Sequence, residues 1–276
     1  KQVSKPGRHI NNGGFSDPRK KGKYPMVIGA LIIGDEILSG KRQDKHLPHL
    51  IEALRTRGME LAWAEYLGDV PARILASLQR SMASNDIVFS FGGIGATPDD
   101  HTRHIAAQAA GLAYERHPQA LALIEAQFGD EAYPNRVRMA DLPAGCGLIP
   151  NPVNRIPGFT VGRHHFVPGF PSMAWPMIDW VLDSLYPQLH FAQPKTERRL
   201  LVPHAREGNL IQTMEALVAQ FPELRFSSLP SFGTDTLPPH IEFGLTGSDS
   251  ATAAAINWLK NELSRLGYQF EDQAPR

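Results

Sequence analysis

The sequence predicts an α/β fold in which a three-layer, mostly parallel sheet is followed by a small βαββα domain. Three observations carry this. Val27–Ile33 (VIGALII) is a near-continuous apolar run, as expected of a strand buried on both faces. Such runs alternate with 3.6-residue helical patterns, which implies parallel strands joined by right-handed crossovers. Three polar turns, Gly34-Asp35-Glu36, Gly68-Asp69 and Gly92–Asp100, each follow a strand directly. In a parallel sheet these turns meet at the carboxyl edge, where ligands bind.

The elements follow in order. After Val27–Ile33 a helix is predicted from about Leu47, with Asp44 and Pro48 near its start, Leu50, Ile51 and Leu54 on one face, and Arg57-Gly58 as its stop. Leu61–Leu67 is the second strand. Gly68-Asp69-Val70-Pro71 opens the next helix, with Ile74, Leu75 and Leu78 inward. Ile87–Phe91 is the third strand, and the helix after its glycine turn ends at Gly111. Residues 112–157 read as helices and Pro-rich loops. His165-Phe166-Val167 is a further strand, leading through Pro168–Ser172 into a helix to about Leu185, with Ser172 as N-cap candidate. Tyr186–Lys195 reads as a linker. The second domain, residues 196–272, follows as strand Arg198–Val202, helix Asn209–Gln220, strands Leu224–Leu229 and His240–Leu245, and helix Ala251–Leu266.

Composition bounds the function. Hydrophobic content of 42% and charged content of 20% are ordinary for a globular protein. The formal net charge of +0 argues against a dedicated nucleic-acid or membrane-surface protein. Residues 1–25 are basic, rich in Gly, Asn and Ser, and expected to be disordered, with Met26 the expected native start. No apolar run is long enough to span a bilayer and no signal-peptide core is present, so a cytoplasmic protein is expected. The single cysteine, Cys146, excludes an internal disulfide and any multi-cysteine metal site. It is a loop thiol with or without reactivity.

The chemistry concentrates in Ile87–Thr102 (IVFSFGGIGATPDDHT), a strand, a Gly-Gly-x-Gly turn and a helix start. Glycines let main-chain N–H groups face an anion, and a following helix adds its positive end. It is neither a Walker loop nor a full dinucleotide fingerprint. Asp99 and Asp100 have two readings. One is structural, with Thr97 as N-cap, Pro98 at the first helical position and Asp100 closing a Thr-x-x-Asp box. The other places an acid on Mg²⁺ or on a proton in transfer. Asp69 is likewise either a helix cap or a ligand-facing group, and Asp35 and Glu36 serve a ligand or a turn. His101 and His104 share a helix face, solvated or metal-binding. His164 and His165 alternate across a strand and cannot both face one site. Trp175, Trp180 and Trp258 are expected in the core or between domains.

These motifs resemble a known family. Val27–Leu185 resembles the molybdopterin-binding (MoaB/Mog-type) domain in the version that opens the CinA, or competence/damage-inducible, proteins. GGIGATPDDHT is close to that family's GG-x-G-P-T-P-D-D-x-T; IIGDEILSG, NPVNRIPGF and PGFPSM match its other motifs. Ala96 stands where the family has proline, and Asp44-Lys45-His46 where CinA usually has Asp-Thr-Asn. Residues 197–270 resemble the KH-like middle domain of CinA. They are not strongly basic and are expected to lack a Gly-x-x-Gly clamp loop, so nucleic acid is not an expected partner. Nothing resembles the CinA carboxy-terminal amidohydrolase domain.

The resemblance implies that Gly92, Gly93, Gly95 and Thr97 cradle a phosphate, with Gly34, Asp35, Glu36, Gly169, Pro171 and Ser172 completing the substrate site. Asp69 and Asp100 are the implied catalytic acids, and Asp100 the implied ligand of Mg²⁺ or another divalent cation. It further implies molybdopterin or an ADP-ribose-type diphosphate as ligand and a homo-oligomer as the assembly. The alternative is a protein that binds such a ligand without turning it over.

Overall fold

The computed structural model describes residues 26–192, 194–234 and 237–274; the basic segment 1–25 lies outside the described residues. The described chain forms two compact units, one running to Leu54 and again over Glu60–Pro187, the other made of Arg55–Met59 and the chain from Gln188 onward.

The first unit contains, in order, β1 (Ile28–Ile33), α1 (Asp35–Leu38), α2 (His46–Arg55, ending at the boundary), β2 (Leu61–Leu67), α3 (Pro71–Met82), β3 (Ile87–Phe91), α4 (Thr102–Ala110), β4 (Tyr114–Arg116), α5 (Pro118–Phe128), β5 (Asp141–Pro143), β6 (Gly147–Ile149), β7 (Gly158–Val161), β8 (His164–Val167) and α6 (Pro171–Leu185). Its six-stranded sheet has the order β2-β1-β3-β8-β7-β6. The β2-β1-β3-β8 part is parallel, and β7 and β6 extend it antiparallel. In residues 112–157 sequence reading expects helices and loops, and the structure adds β4, β5 and β6 there and β7 directly after it. These strands have three or four residues each, too few to carry a periodicity, and pairing partners decide them.

Alternation along the strands makes the three layers. Leu31, Val88 and Phe166 share one core with Ile74 and Leu78 of α3, Ile105 and Ala106 of α4, and Ile124 of α5. Side chains one residue away point to the other face. There Phe91 meets the His46 ring of α2, and His165 meets Tyr186 beyond the end of α6. The adjacent histidines therefore have separate partners: His164 Nε2 lies 2.8 Å from Ser81 Oγ, while His165 bonds Thr160 Oγ1 through Nδ1 and Tyr186 OH through Nε2. Burial pulls His164 down to about 4 and His165 to about 3. Trp175 stacks on His49.

The second unit contains β9 (Thr196–Pro203), α7 (Glu207–Gln220), β10 (Arg225–Ser231), β11 (His240–Gly247), α8 (Asp249–Arg265) and β12 (Glu271–Gln273). Its sheet order is β10-β11-β9-β12, antiparallel throughout. The expected βαββα unit thus gains a strand: Glu271–Gln273 is polar and has no strand signature, but it pairs with the outer edge of β9. Leu200, Val202, Phe243 and Leu245 pack against Leu210 and Leu217 of α7 and Ile256, Leu259 and Leu263 of α8, with Trp258 alongside. The spacing Gly244-Leu245-Thr246-Gly247 is of Gly-x-x-Gly form, but it lies inside β11 and is no loop. Among the described residues no helix is long and apolar enough to cross a membrane.

The two buried histidines generate a prediction. Each has a folded-state pKa depressed below its ordinary value of 6.5. Their stabilising contribution is full above that value and is lost as pH falls toward 4, because the unfolded chain takes up protons first. At about 1.4 kcal/mol per unit, His164 alone makes this loss on the order of 3 kcal/mol. His164→Gln, which retains a hydrogen-bonding group for Ser81, should flatten the stability profile between pH 6.5 and 4, read by urea unfolding at each pH.

Candidate functional site

The glycine loop begins where β3 ends. Gly92 (φ 95°) and Gly93 (φ 68°) occupy backbone space that favours glycine. A Cβ at Gly92 would collide with the Ile33 carbonyl oxygen of β1, and one at Gly93 with Thr102 Oγ1. One at Gly95 would lie 2.5 Å from Asp100 Oδ2. The loop is tied at both ends, by Gly92 N–H donating to Val167 O (3.0 Å) and Thr102 N–H donating to Gly93 O (2.9 Å). Between these ties, the N–H groups of Gly93, Ile94, Gly95 and Ala96 make no hydrogen bond among the described residues. All four residues line a cavity of about 400 Å³.

Beneath the loop lies Arg103, which sequence reading did not single out. Its guanidinium is buried and donates to Gly95 O (2.6 Å), Tyr114 OH (2.9 Å), Asp141 O (3.0 Å) and Arg138 O. One side chain thus fixes the loop to the β4–β5 pair. The available signal was an arginine beside the apolar face Ile105–Ala106, a position that requires several acceptors.

The acidic turn departs from the sequence expectation. Thr97 and Pro98 do not start a helix; α4 begins at Thr102, with His101 at its N-cap and no side-chain cap. The Thr-x-x-Asp box survives as a free-standing turn. Asp100 Oδ2 accepts from Thr97 N–H (2.8 Å) and the Thr97 hydroxyl, and Asp100 N–H donates to Thr97 O (3.0 Å). These bonds satisfy the turn without a helix. Asp100 Oδ1 has no hydrogen bond among the described residues.

Asp69 is not the cap of α3; Val70 holds that position. Instead Asp69 and Asp35 clasp each other's backbone. Asp35 N–H donates to Asp69 Oδ2 (2.9 Å) and Asp69 N–H to Asp35 Oδ1 (3.1 Å). The clasp staples the turns after β1 and β2 together, and a helix does follow the first turn, since Gly34 is the N-cap of α1. Desolvation, with the neighbouring charges of Asp35, Glu36 and Asp99, raises the Asp69 carboxyl above its ordinary value, against the opposing pull of the Asp35 N–H. Ser172 likewise is not a cap. Phe170 takes that position in α6, with Pro171 at the first helical residue.

Asp44 is the side chain that holds the start of α2, accepting from His46 N–H (2.8 Å) and Leu47 N–H (3.1 Å). It also accepts from Tyr66 OH (2.7 Å). Desolvation and this carboxylate push Tyr66 up to about 12. His46 is buried, with Nε2 3.1 Å from Gly169 O, and so couples α2 to the turn after β8.

The cavity collects Gly34, Glu36, Asp69, Gly92, Gly93, Gly95, Thr97, Asp100 and Gly169 of the expected residues. Asp35, Pro171 and Ser172 do not line it; they act on the turn and the helix start behind it. Sequence reasoning missed Arg42, Asn151, Asn154, Phe170 and Met173 as lining residues. Arg42 is placed by its N–H donating to Glu36 O (3.0 Å), a contact no periodicity announces. Cys146 is buried, with its thiol pushed up to about 11, which removes it as a nucleophile at neutral pH. His104 packs edge-on against Tyr114, and among the described residues no three His, Cys, Asp or Glu side chains form a metal-holding group.

Comparison with known proteins gives a consistent assignment. Residues 29–190 match the family described as "Probable molybdopterin binding domain". A CinA-like protein of Citrifermentans bemidjiense is 34% identical over 171 residues, covering 59% of this chain and 41% of that protein. One from Geobacter sp. (strain M21) is 31% identical over 249 residues, covering 87% of this chain and 58% of its own. The chain thus spans about half the length of the curated relatives it matches. Among solved structures, CinA from Thermoplasma acidophilum, described as of unknown function, aligns with TM-score 0.53 at 26% identity, covering 57% of this chain and 98% of that one. With residues 29–190 matched, more than half of its length, the chain belongs to the molybdopterin-binding domain family, and the relatives it resembles are CinA-like proteins.

Proposed function

We propose that this protein binds a phosphorylated nucleotide or pterin in the strand-end cavity and hydrolyses a diphosphate in it with a divalent cation, an ADP-ribose-type compound being the favoured substrate. One observation carries the reading. Four consecutive loop residues, Gly93 to Ala96, line the cavity, and their main-chain N–H groups have no partner among the described residues. Unspent N–H groups in a row are suited to an anion with several oxygens. Arg42 adds a cation to the lining of the same cavity. The description of the matched family, a molybdopterin-binding domain, supports the ligand class.

The carboxylates give the site more than affinity. Mg²⁺ is ordinarily held by one or two protein carboxylates together with substrate phosphates. Asp100 suits this role through Oδ1, while Oδ2 maintains the Thr97 turn. When bound, the cation would neutralise charge developing on the phosphate oxygens. Asp69 would orient a water and accept its proton; the raised pKa of its carboxyl makes it a better base than an ordinary aspartate. The second reading, binding without turnover, is favoured by the clasp that already occupies Asp69 Oδ2.

Titration with ADP-ribose and with an adenylated pterin in Mg²⁺, followed for heat and for product, separates the two readings: heat without product selects the binding protein. Asp100→Asn retains an oxygen for the Thr97 turn and should lower turnover about 100-fold or more. Turnover equal to wild type removes the catalytic reading. The raised carboxyl of Asp69 sets the acid limb of kcat/KM above the ordinary aspartate value of 3.8. Asp69→Asn should abolish that limb together with most of the rate, as read from a pH–rate profile.

A further inference from the structure

Two turns that line the cavity, Gly92-Gly93 after β3 and Pro168–Phe170 after β8, are both reached by a side chain outside the lining, His46. The residue is 5% exposed. Its ring lies 4.6 Å, between centroids, from that of Phe91, the residue that leads into Gly92. Its Nε2 lies 3.1 Å from Gly169 O. The main chain gives that carbonyl no partner among the described residues, so the imidazole is what restrains it. A Cβ on Gly169 would lie 3.5 Å from Gly92 Cα, which makes the two turns neighbours. One buried ring therefore braces both.

The bond to Gly169 also assigns the tautomer. A carbonyl oxygen accepts and never donates, so Nε2 carries the proton and Nδ1 is a bare lone pair. Nδ1 is buried and has no hydrogen-bond partner among the described residues. A second proton there would need an acceptor and a counter-charge. Asp44, in the turn before α2, attracts such a proton, but both its oxygens are committed. Oδ1 accepts from His46 N–H, and Oδ2 from Leu47 N–H and from Tyr66 OH of β2. His49 of α2, stacked on Trp175 of α6, repels it. β3 and the turn after β8 present Phe91 and the Gly169 carbonyl, which carry no charge. Burial is the largest influence and holds His46 below its ordinary 6.5.

We propose that His46 is a positioning residue for the strand-end cavity, whose neutral Nε2–H form holds the Gly169 turn beside Gly92, and that protonation of Nδ1 releases this turn and weakens ligand binding. An imidazolium is unstable in this place, with its charge away from water and its new N–H unpaired. Turning outward to solvent takes Nε2–H away from Gly169 O. The binding-competent form is the deprotonated one, so affinity is full above the His46 pKa and falls as pH drops through it. The binding readout rests on the phosphorylated-ligand reading above; the role of His46 itself adds a residue that touches no ligand.

The test titrates wild type, His46→Gln and His46→Leu with ADP-ribose in Mg²⁺ from about pH 8 to about pH 5, with circular dichroism at each pH. ADP-ribose is the probe because its diphosphate, esterified at both ends, keeps a constant charge over that range. Gln offers an amide donor at a reach similar to Nε2 and does not titrate, while Leu fills the space without a donor. Gln should match wild type at the alkaline end, and Leu should bind about tenfold weaker throughout. Wild-type affinity should fall by up to about tenfold per pH unit below the His46 pKa, and the Gln profile should lack that component. Asp69, with its raised carboxyl, is present in all three proteins and cancels from the comparison. Parallel wild-type and Gln profiles overturn the proposal, as does a folded Leu variant that binds like wild type. If His46→Leu fails to fold, the Gln profile decides.

A second measurement needs no ligand. Nitrogen NMR of the histidine rings should show His46 as the Nε2–H tautomer at neutral pH. The Gly92 and Phe170 amide signals should move as His46 titrates, and the Gln variant should lack that movement. The Nδ1–H tautomer, or amides indifferent to the titration, overturns the positioning role. ADP-ribose that binds wild type at no pH overturns the favoured substrate and leaves the spectra to decide on His46.

Discussion

Parallel pairing of β2, β1, β3 and β8 is the constraint on which the site depends, because parallel strands deliver all their carboxyl ends to one edge. The main chain continues this alignment past the last paired residues: Gly34 N–H donates to Leu67 O (2.9 Å), and Gly92 N–H to Val167 O. Four turns from distant parts of the sequence are thereby held side by side. The close approach of backbone to backbone at this edge also explains the glycine at 92, where a Cβ would strike β1.

The edge gathers negative charge that local structure has to stabilise. Glu36, Asp69, Asp99 and Asp100 line one cavity, and the clasp between Asp35 and Asp69 gives Asp69 a main-chain N–H partner. Asp100 finds the same in the Thr97 turn. The cost of concentrating acids remains visible at Asp69, whose carboxyl stays above its ordinary range. Such perturbed groups cluster where ligands or protons are handled. On the other side of the loop, Arg103 supplies a positive charge and four hydrogen bonds, one of them to Gly95 O, which ties the loop to the β4–β5 pair.

Much of this was legible in the chain. The buried strands announced themselves as apolar runs, and the helices α2 and α3 through apolar spacing, because each has one environment per face along most of its length. The turns at Gly34, Gly68 and Gly92 were legible as strand-end glycines followed by acids. Local capping was the weak point. Thr97, Asp69 and Ser172 all occupied positions from which a helix could be capped, and none of the three caps one. A side chain with a short polar reach bonds whichever N–H the tertiary arrangement brings closest; for Asp69 that N–H comes from a residue 34 positions away.

The sequence by itself determined the α/β class, the four strand-end turns and the family motifs, since these follow from local patterns of apolarity and glycine. Tertiary structure decided everything that depends on a partner remote in sequence. It recruited the short strands β4 to β7 and β12, whose pairing energy comes from neighbours and whose own residues carry little preference. It set Arg103 under the glycine loop, and it brought Arg42, Asn154, Phe170 and Met173 to the same cavity as Asp69 and Asp100. Side-chain chemistry is written in the sequence, but which groups share a cavity is set by strand order and register, and these emerge only when the whole core is packed.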